Sequence, residues 1–176
     1  MKQHHVFSFL QRMGKSFMLS IAVLPVAGIF LGVGSSLTNE TTIAALHLES
    51  VLGQGTFLYS VLILLKQVGK VLFDNLPLIF AVSIALGMSK RRKEVAALAA
   101  IIAFFVMHAT INTLLCLDGS IVNGVVSNNI LDGSITSVCG MLSLEMGVFG
   151  GVVVGLGVSY LHNRFYQIQL PSVISF

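Results

Sequence analysis

The chain has no tryptophan, only two cysteines and three prolines in 176 residues, and only 10% charged residues. Soluble domains carry roughly 25% charged residues, so this shortage excludes an ordinary water-soluble domain. Without tryptophan, an aromatic belt at a membrane–water boundary falls to the 3 tyrosines and some of the 12 phenylalanines. No P-loop, G-x-G-x-x-G, H-E-x-x-H or G-x-S-x-G motif occurs, which removes the common phosphate-binding, dinucleotide, metalloprotease and hydrolase signatures. Cys116 and Cys139 are too far apart for a C-x-x-C metal pair and read as ordinary thiols, with a disulfide between them left open. Neither a metal nor a cofactor is expected. The net charge of +3 and pI near 9.1 raise the question of nucleic acid. No basic stripe with interleaved aromatics supports it, so nucleic acid is not an expected partner.

What is present is apolar. Hydrophobic residues make up 55% of the chain and the mean hydropathy is +0.92. Charges bound three long uncharged runs, Ser16–Asn39, Val95–Leu117 and Met146–Asn163. At about 1.5 Å of helix per residue, each is long enough, or nearly so, for a hydrocarbon core roughly 30 Å thick. Between the first two runs, Lys66, Lys70 and Asp74 recur at i, i+4 and i+8 and share one helical face. This spacing predicts a tilted or interfacial amphipathic helix over Phe57–Asp74. Leu76–Met88 then forms the inner part of a further crossing, with Pro77 near its start, where proline is tolerated. The expected fold class is therefore an all-α integral membrane protein with about four crossings plus a short amphipathic or interfacial helix.

Orientation follows from the basic residues. Lys2, Arg12, Lys15, the run Lys90, Arg91, Arg92 and Lys93, and Arg164 account for eight of the 10 Lys and Arg residues. All eight fall on one predicted side, and the alternate loops Gly34–Thr56 and Asp118–Glu145 carry none. The positive-inside rule places that side, and the N-terminus, in the cytoplasm. The first run is too long for a cleaved signal core and further spans follow it.

Several residues stand out against this background. Gly147, Gly151 and Gly155 form a ridge at helical spacing, and Gly28 and Gly32 form a shorter one; both predict close helix packing. Pro25 interrupts the first run and predicts a kink. His108 lies deep in the Val95–Leu117 run, and an ionisable residue there is a candidate for a substrate path or a neutral bond to a neighbouring helix. Asn75 and Pro77 open a short apolar segment, either as part of a simple cap or as the lining of a polar cavity at a broken helix. Lys90, Arg91, Arg92 and Lys93 are a topogenic loop or a surface where a cytoplasmic partner docks. Asn39-Glu40-Thr41 matches a glycosylation sequon of low specificity.

Five segments in order resemble the enzyme IIC component of the bacterial sugar phosphotransferase system, in its glucose, maltose and N-acetylglucosamine branch. They are Leu10–Leu19 leading to Val23–Gly28, Asn75–Val82 with Ala85–Gly87, Glu94–Leu98, Met146–Gly151, and Leu161–Tyr166 leading to Leu170-Pro171. Leu19-Ser20 departs from the Leu-Pro frequent in that family. The resemblance implies a multi-pass permease of the bacterial cytoplasmic (inner) membrane. Such a permease imports a hexose or hexose disaccharide while a partner IIB domain, carrying a phosphocysteine, phosphorylates the sugar. It also implies a homodimer in the complete protein. By the same resemblance, residues 1–176 are the amino-terminal, mostly scaffold part of a permease domain roughly twice as long. The principal sugar-binding Glu and His would lie in the remaining half. Cys116 and Cys139 do not match the IIB phosphocysteine motif, and no catalytic residue is assigned to this chain. The competing reading is a truncated stand-alone membrane protein that packs against a complete permease and modulates it. A small ion channel finds little support, because no filter-like segment is visible.

Overall fold

A computed structural model describes residues 2–127 and 130–168, with side chains from residue 7 onward. The Leu170-Pro171 segment lies outside the described residues. The order of elements is α1 (Lys2–Ile21), α2 (Leu24–Leu37), α3 (Glu40–Ala45), α4 (Glu49–Leu52), α5 (Phe57–Asp74), α6 (Leu76–Met88), α7 (Lys93–Leu117), β1 (Ile121–Val122), β2 (Val125–Val126), β3 (Ile135–Val138), β4 (Met141–Leu144) and α8 (Gly147–Phe165). Among the described residues, two helical segments, Phe7–Leu37 and Lys93–Leu117, are long and apolar enough to cross a membrane, or up to three if Phe57–Asp74 and Leu76–Met88 form one broken span. The chain divides into two compact units, Ser20–Asn75, and Met1–Leu19 with Leu76–Phe176.

In the Ser20–Asn75 unit, α2 packs on α5. The contact depends on Gly34 and Gly69, where an added Cβ would lie 2.6 Å from the Lys66 backbone nitrogen and 2.5 Å from that of Leu31. Gly28 and Gly32, expected to make this kind of contact, instead face open space, with nothing within 4 Å of an added Cβ. At the expected kink, α1 and α2 are separated only by Ala22 and Val23, just before Pro25, and Phe7–Leu37 stays one apolar segment. Proline sits in the first turn of α2, where its missing N–H removes no helical bond. Ile43, Leu52 and Leu62 are buried together, and this small core holds α3 and α4 against the start of α5. Asn39 of the sequon caps α3 by accepting from the Thr41 backbone N–H at 3.0 Å. The Phe57–Asp74 helix has the expected bounds, and its polar face carries a Lys70–Asp74 ion pair at 3.1 Å.

In the other unit, α6 is the central element. Phe80, Ala81, Ser83, Ile84, Ala85 and Met88 are all buried. A short helix apolar on every side must be surrounded, since no polar face is left for water. Helices α7 and α8 flank it, and the Phe17 ring of α1 packs at a tilt against Phe80, centroids 5.7 Å apart. Ala81, Phe104, Val138 and Val154 form one buried cluster, and Ala85, Ala96 and Ala100 form another.

The all-α expectation is corrected in the segment after α7. Two antiparallel hairpins fill it, one pairing Ile121 with Val126 and Val122 with Val125, the other running from Ile135–Leu144 to Val138–Met141. Both turn through two residues with positive φ, Asn123-Gly124 at 51° and 75° and Cys139-Gly140 at 49° and 84°. Such primed turns match the right-handed twist of the strands they join.

Candidate functional site

Polar chemistry in the unit built around α6 gathers in two places. The first lies between α7 and the second hairpin. His108 is only 2% exposed, its Nδ1 lies 2.7 Å from the Ser143 hydroxyl, and its ring packs on Phe104 at 4.5 Å. One helical turn further on, Asn112 donates to the Leu142 carbonyl at 2.7 Å. Helical spacing thus presents two polar side chains to one edge of β4 and fixes the hairpin on α7. Glu145 completes the attachment, accepting from the Thr136 hydroxyl and, at 3.1 Å, from the Gly147 backbone N–H at the start of α8.

The second place is the basic connection between α6 and α7. Asn163 of α8 clamps it from both sides of its amide: Oδ1 accepts from the Lys90 backbone N–H at 2.8 Å, and Nδ2 donates to the Met88 carbonyl at 3.0 Å. His162 Nε2 lies 2.7 Å from the Arg91 carbonyl. Arg92 then caps the start of α7 in the left-handed region, φ 46°, with no side-chain capping bond. Two adjacent side chains of α8 therefore hold the backbone of the connection, while Lys90, Arg91, Arg92 and Lys93 remain exposed. Beside this clamp, α7 and α8 enclose a groove of about 470 Å³.

The remaining sequence-predicted residues are placed as follows. Asn75 caps the C-terminus of α5, its amide donating to the Val71 carbonyl at 2.8 Å. Pro77 opens α6, and its carbonyl occupies the space where a Cβ on Gly151 would lie. One turn along α8, a Cβ on Gly155 would sit 2.7 Å from both the Ala81 carbonyl oxygen and Ile84 Cβ. Gly147 has φ 51° and a Cβ there would meet only Glu145, at 3.6 Å. Of the predicted glycine ridge, then, Gly151 and Gly155 make the close approach between α6 and α8. Asn75 and Pro77 fall in different units, and none of Asn75, Pro77 and His108 lines the α7–α8 groove. Among the described residues, no group of three or more His, Cys, Asp or Glu side chains could hold a metal.

Sequence reasoning missed Ser143, His162 and Asn163. Nothing local marks Ser143, whose partner is 35 residues away. His162 and Asn163 are adjacent polar residues near the end of an apolar helix, a signal that also fits a solvated terminus.

The chain is 36% identical over 171 residues to the PTS system glucose-specific EIICBA component of Staphylococcus saprophyticus, and that match covers 97% of the chain and 24% of the relative. It is 35% identical over 171 residues to the PTS system maltose-specific EIICB component of Escherichia coli, covering 97% of the chain and 31% of the relative. The chain thus spans about a quarter to a third of the length of these relatives. Residues 14–176 match the family described as "Phosphotransferase system, EIIC", and the chain belongs to this family.

Proposed function

We propose that residues 1–176 form the amino-terminal, mostly scaffold part of a permease that brings a glucose- or maltose-type sugar across the bacterial cytoplasmic membrane. Uptake is coupled to phosphorylation of the sugar by a partner IIB domain. The observation that carries this reading is the match of residues 14–176 to the EIIC family, together with the glucose- and maltose-specific relatives. Both relatives join EIIC to EIIB in one chain, which supports a IIB partner. The one-sided distribution of Lys and Arg supports a cytoplasmic N-terminus and four crossings, with α8 as the last. In this reading the complete permease is a homodimer and its sugar-binding groups lie outside these residues. Asn75 and His108 hold a helix end and the hairpin in place through their hydrogen bonds, and the Pro77 backbone lies against Gly151 where α6 meets α8.

Uptake tests the reading. Full-length protein in cells deprived of their own glucose and maltose permeases should accumulate phosphorylated sugar, and accumulation should require phosphoenolpyruvate. Accumulation of unmodified sugar driven by an ion gradient would refute it. Labelling of cysteines introduced at positions 91 and 127 should place them in opposite compartments.

A further inference from the structure

We propose that the groove between α7 and α8 is a binding site for an anionic phospholipid, with the phosphate at Arg92 and an acyl chain along the apolar wall. The groove encloses about 470 Å³, within the roughly 300–1,000 Å³ usual for sites that take a small molecule. Its wall is apolar: Val95 and Ala99 from α7 face Val158 and Leu161 from α8. The alanines Ala99 and Ala103 leave the space that larger side chains would fill. Val95 and Leu161 remain 48% and 53% exposed, so the wall is open to whatever solvates the helices, which for this family is lipid.

The two ends of the groove differ. Arg92, His162 and Tyr166 are in the lining where the start of α7 meets the end of α8, joined by the His162 contact to the Arg91 carbonyl, and Lys90, Arg91 and Lys93 lie beside Arg92 in sequence. Arg164 follows on α8, its guanidinium 5.9 Å from the Phe165 ring centroid. The acidic residue of this neighbourhood, Glu94, stands in the first turn of α7 and is not part of the lining. A soluble anion would use the basic end and leave the apolar wall bare. A neutral lipid would cover the wall and leave the arginine without a partner. A molecule with a phosphate at one end and a hydrocarbon chain at the other satisfies both, and basic pockets between membrane helices take lipid headgroups by this complementarity. The His162 and Asn163 clamp adds rigidity, since it fixes the backbone on either side of Arg91 and so sets where Arg92 stands. The proposal rests on the membrane environment of the family and not on the sugar or on the number of crossings.

The test uses the full-length protein in nanodiscs of phosphatidylcholine with and without phosphatidylglycerol, and reads retained lipid by native mass spectrometry. Phosphatidylglycerol should be retained in preference to phosphatidylcholine. Arg92→Gln should weaken that preference about 5-fold, the effect of one basic group near a headgroup. Lys90→Gln removes the same charge outside the groove and should leave the preference close to that of the parent protein. Ala99→Leu fills the wall with all charges intact and should also reduce retention. Equal retention of the two lipids, or equal effects of Arg92→Gln and Lys90→Gln, would overturn the proposal. So would parent-like retention in Ala99→Leu, because the wall would then carry no acyl chain. Sugar uptake is measured separately, so its failure and the loss of lipid preference are distinguishable.

Discussion

Replacing Gly155 with alanine tests how the central helices are held together. The new Cβ would lie 2.7 Å from the Ala81 carbonyl oxygen and from Ile84 Cβ, well inside van der Waals contact, and the oxygen belongs to helix backbone that cannot rotate away. Overpacking of this kind costs about 1–3 kcal/mol, and a rigid neighbour puts Gly155 near the upper figure. Alanine returns about 1 kcal/mol through its better helix propensity. The net effect is a loss of about 2 kcal/mol, or roughly 4–8 °C in Tm for a chain of this size. Gly28→Ala makes the control. Nothing lies within 4 Å of its added Cβ, so only the propensity gain applies within the chain, and stability should be unchanged or rise by about 0.5–1 kcal/mol. Reversible unfolding of the detergent-solubilised protein, followed by circular dichroism, measures both. If Gly155→Ala matches the parent protein while Gly28→Ala unfolds more easily, the α6–α8 packing described above is wrong.

Three further outcomes follow from the polar contacts. Ser143→Ala takes away the hydroxyl partner of His108 and should cost about 1–2 kcal/mol, with part regained in the His108→Phe, Ser143→Ala double variant; parent-like stability of the single variant would remove the pair from the account. Asn163→Ala loses both bonds to the basic connection and should speed tryptic cleavage after Lys90–Lys93, so an unchanged cleavage rate would contradict the clamp. Burial pushes the Cys139 thiol up from its ordinary value. The thiolate is the nucleophile, so alkylation of Cys139 should begin at higher pH in the folded protein than in the same protein unfolded. The linked sign is that the unfolded chain loses this proton first, so stability falls as pH rises through the ordinary thiol range. Coincident alkylation profiles would show that Cys139 is not shielded.

Charge placement and run length were the legible signals. The acid and base spacing around Lys66, Lys70 and Asp74 gave α5 its bounds, and Pro77 marked the start of α6. The Asn123-Gly124 turn, flanked by Ile121, Val122, Val125 and Val126, was a readable hairpin signal within the segment Asp118–Glu145, read above only as a loop between crossings. The break before Pro25 was only partly legible, since a proline inside an apolar run fits a kink as well as a new helix start. A hydrophobic run alone does not distinguish these, because both leave the same composition behind.

The sequence by itself determined that lipid is the solvent of this chain, where α5, α6 and α7 fall, and that the connection between α6 and α7 is basic; α3 and α4, inside the expected loop Gly34–Thr56, it did not show. These follow from local chemistry: each residue's transfer from water and its backbone preference act without knowledge of distant partners. Only the tertiary structure decided which glycines bring helices together. Gly28 and Gly32 have the same spacing as Gly151 and Gly155, yet one pair faces open space and the other meets the backbone of α6. It also decided that His108 answers to Ser143 and that Asn163 holds Lys90. A close approach or a hydrogen bond depends on how two helices or strands are turned toward each other, and that rotation is set by the packing of the whole unit.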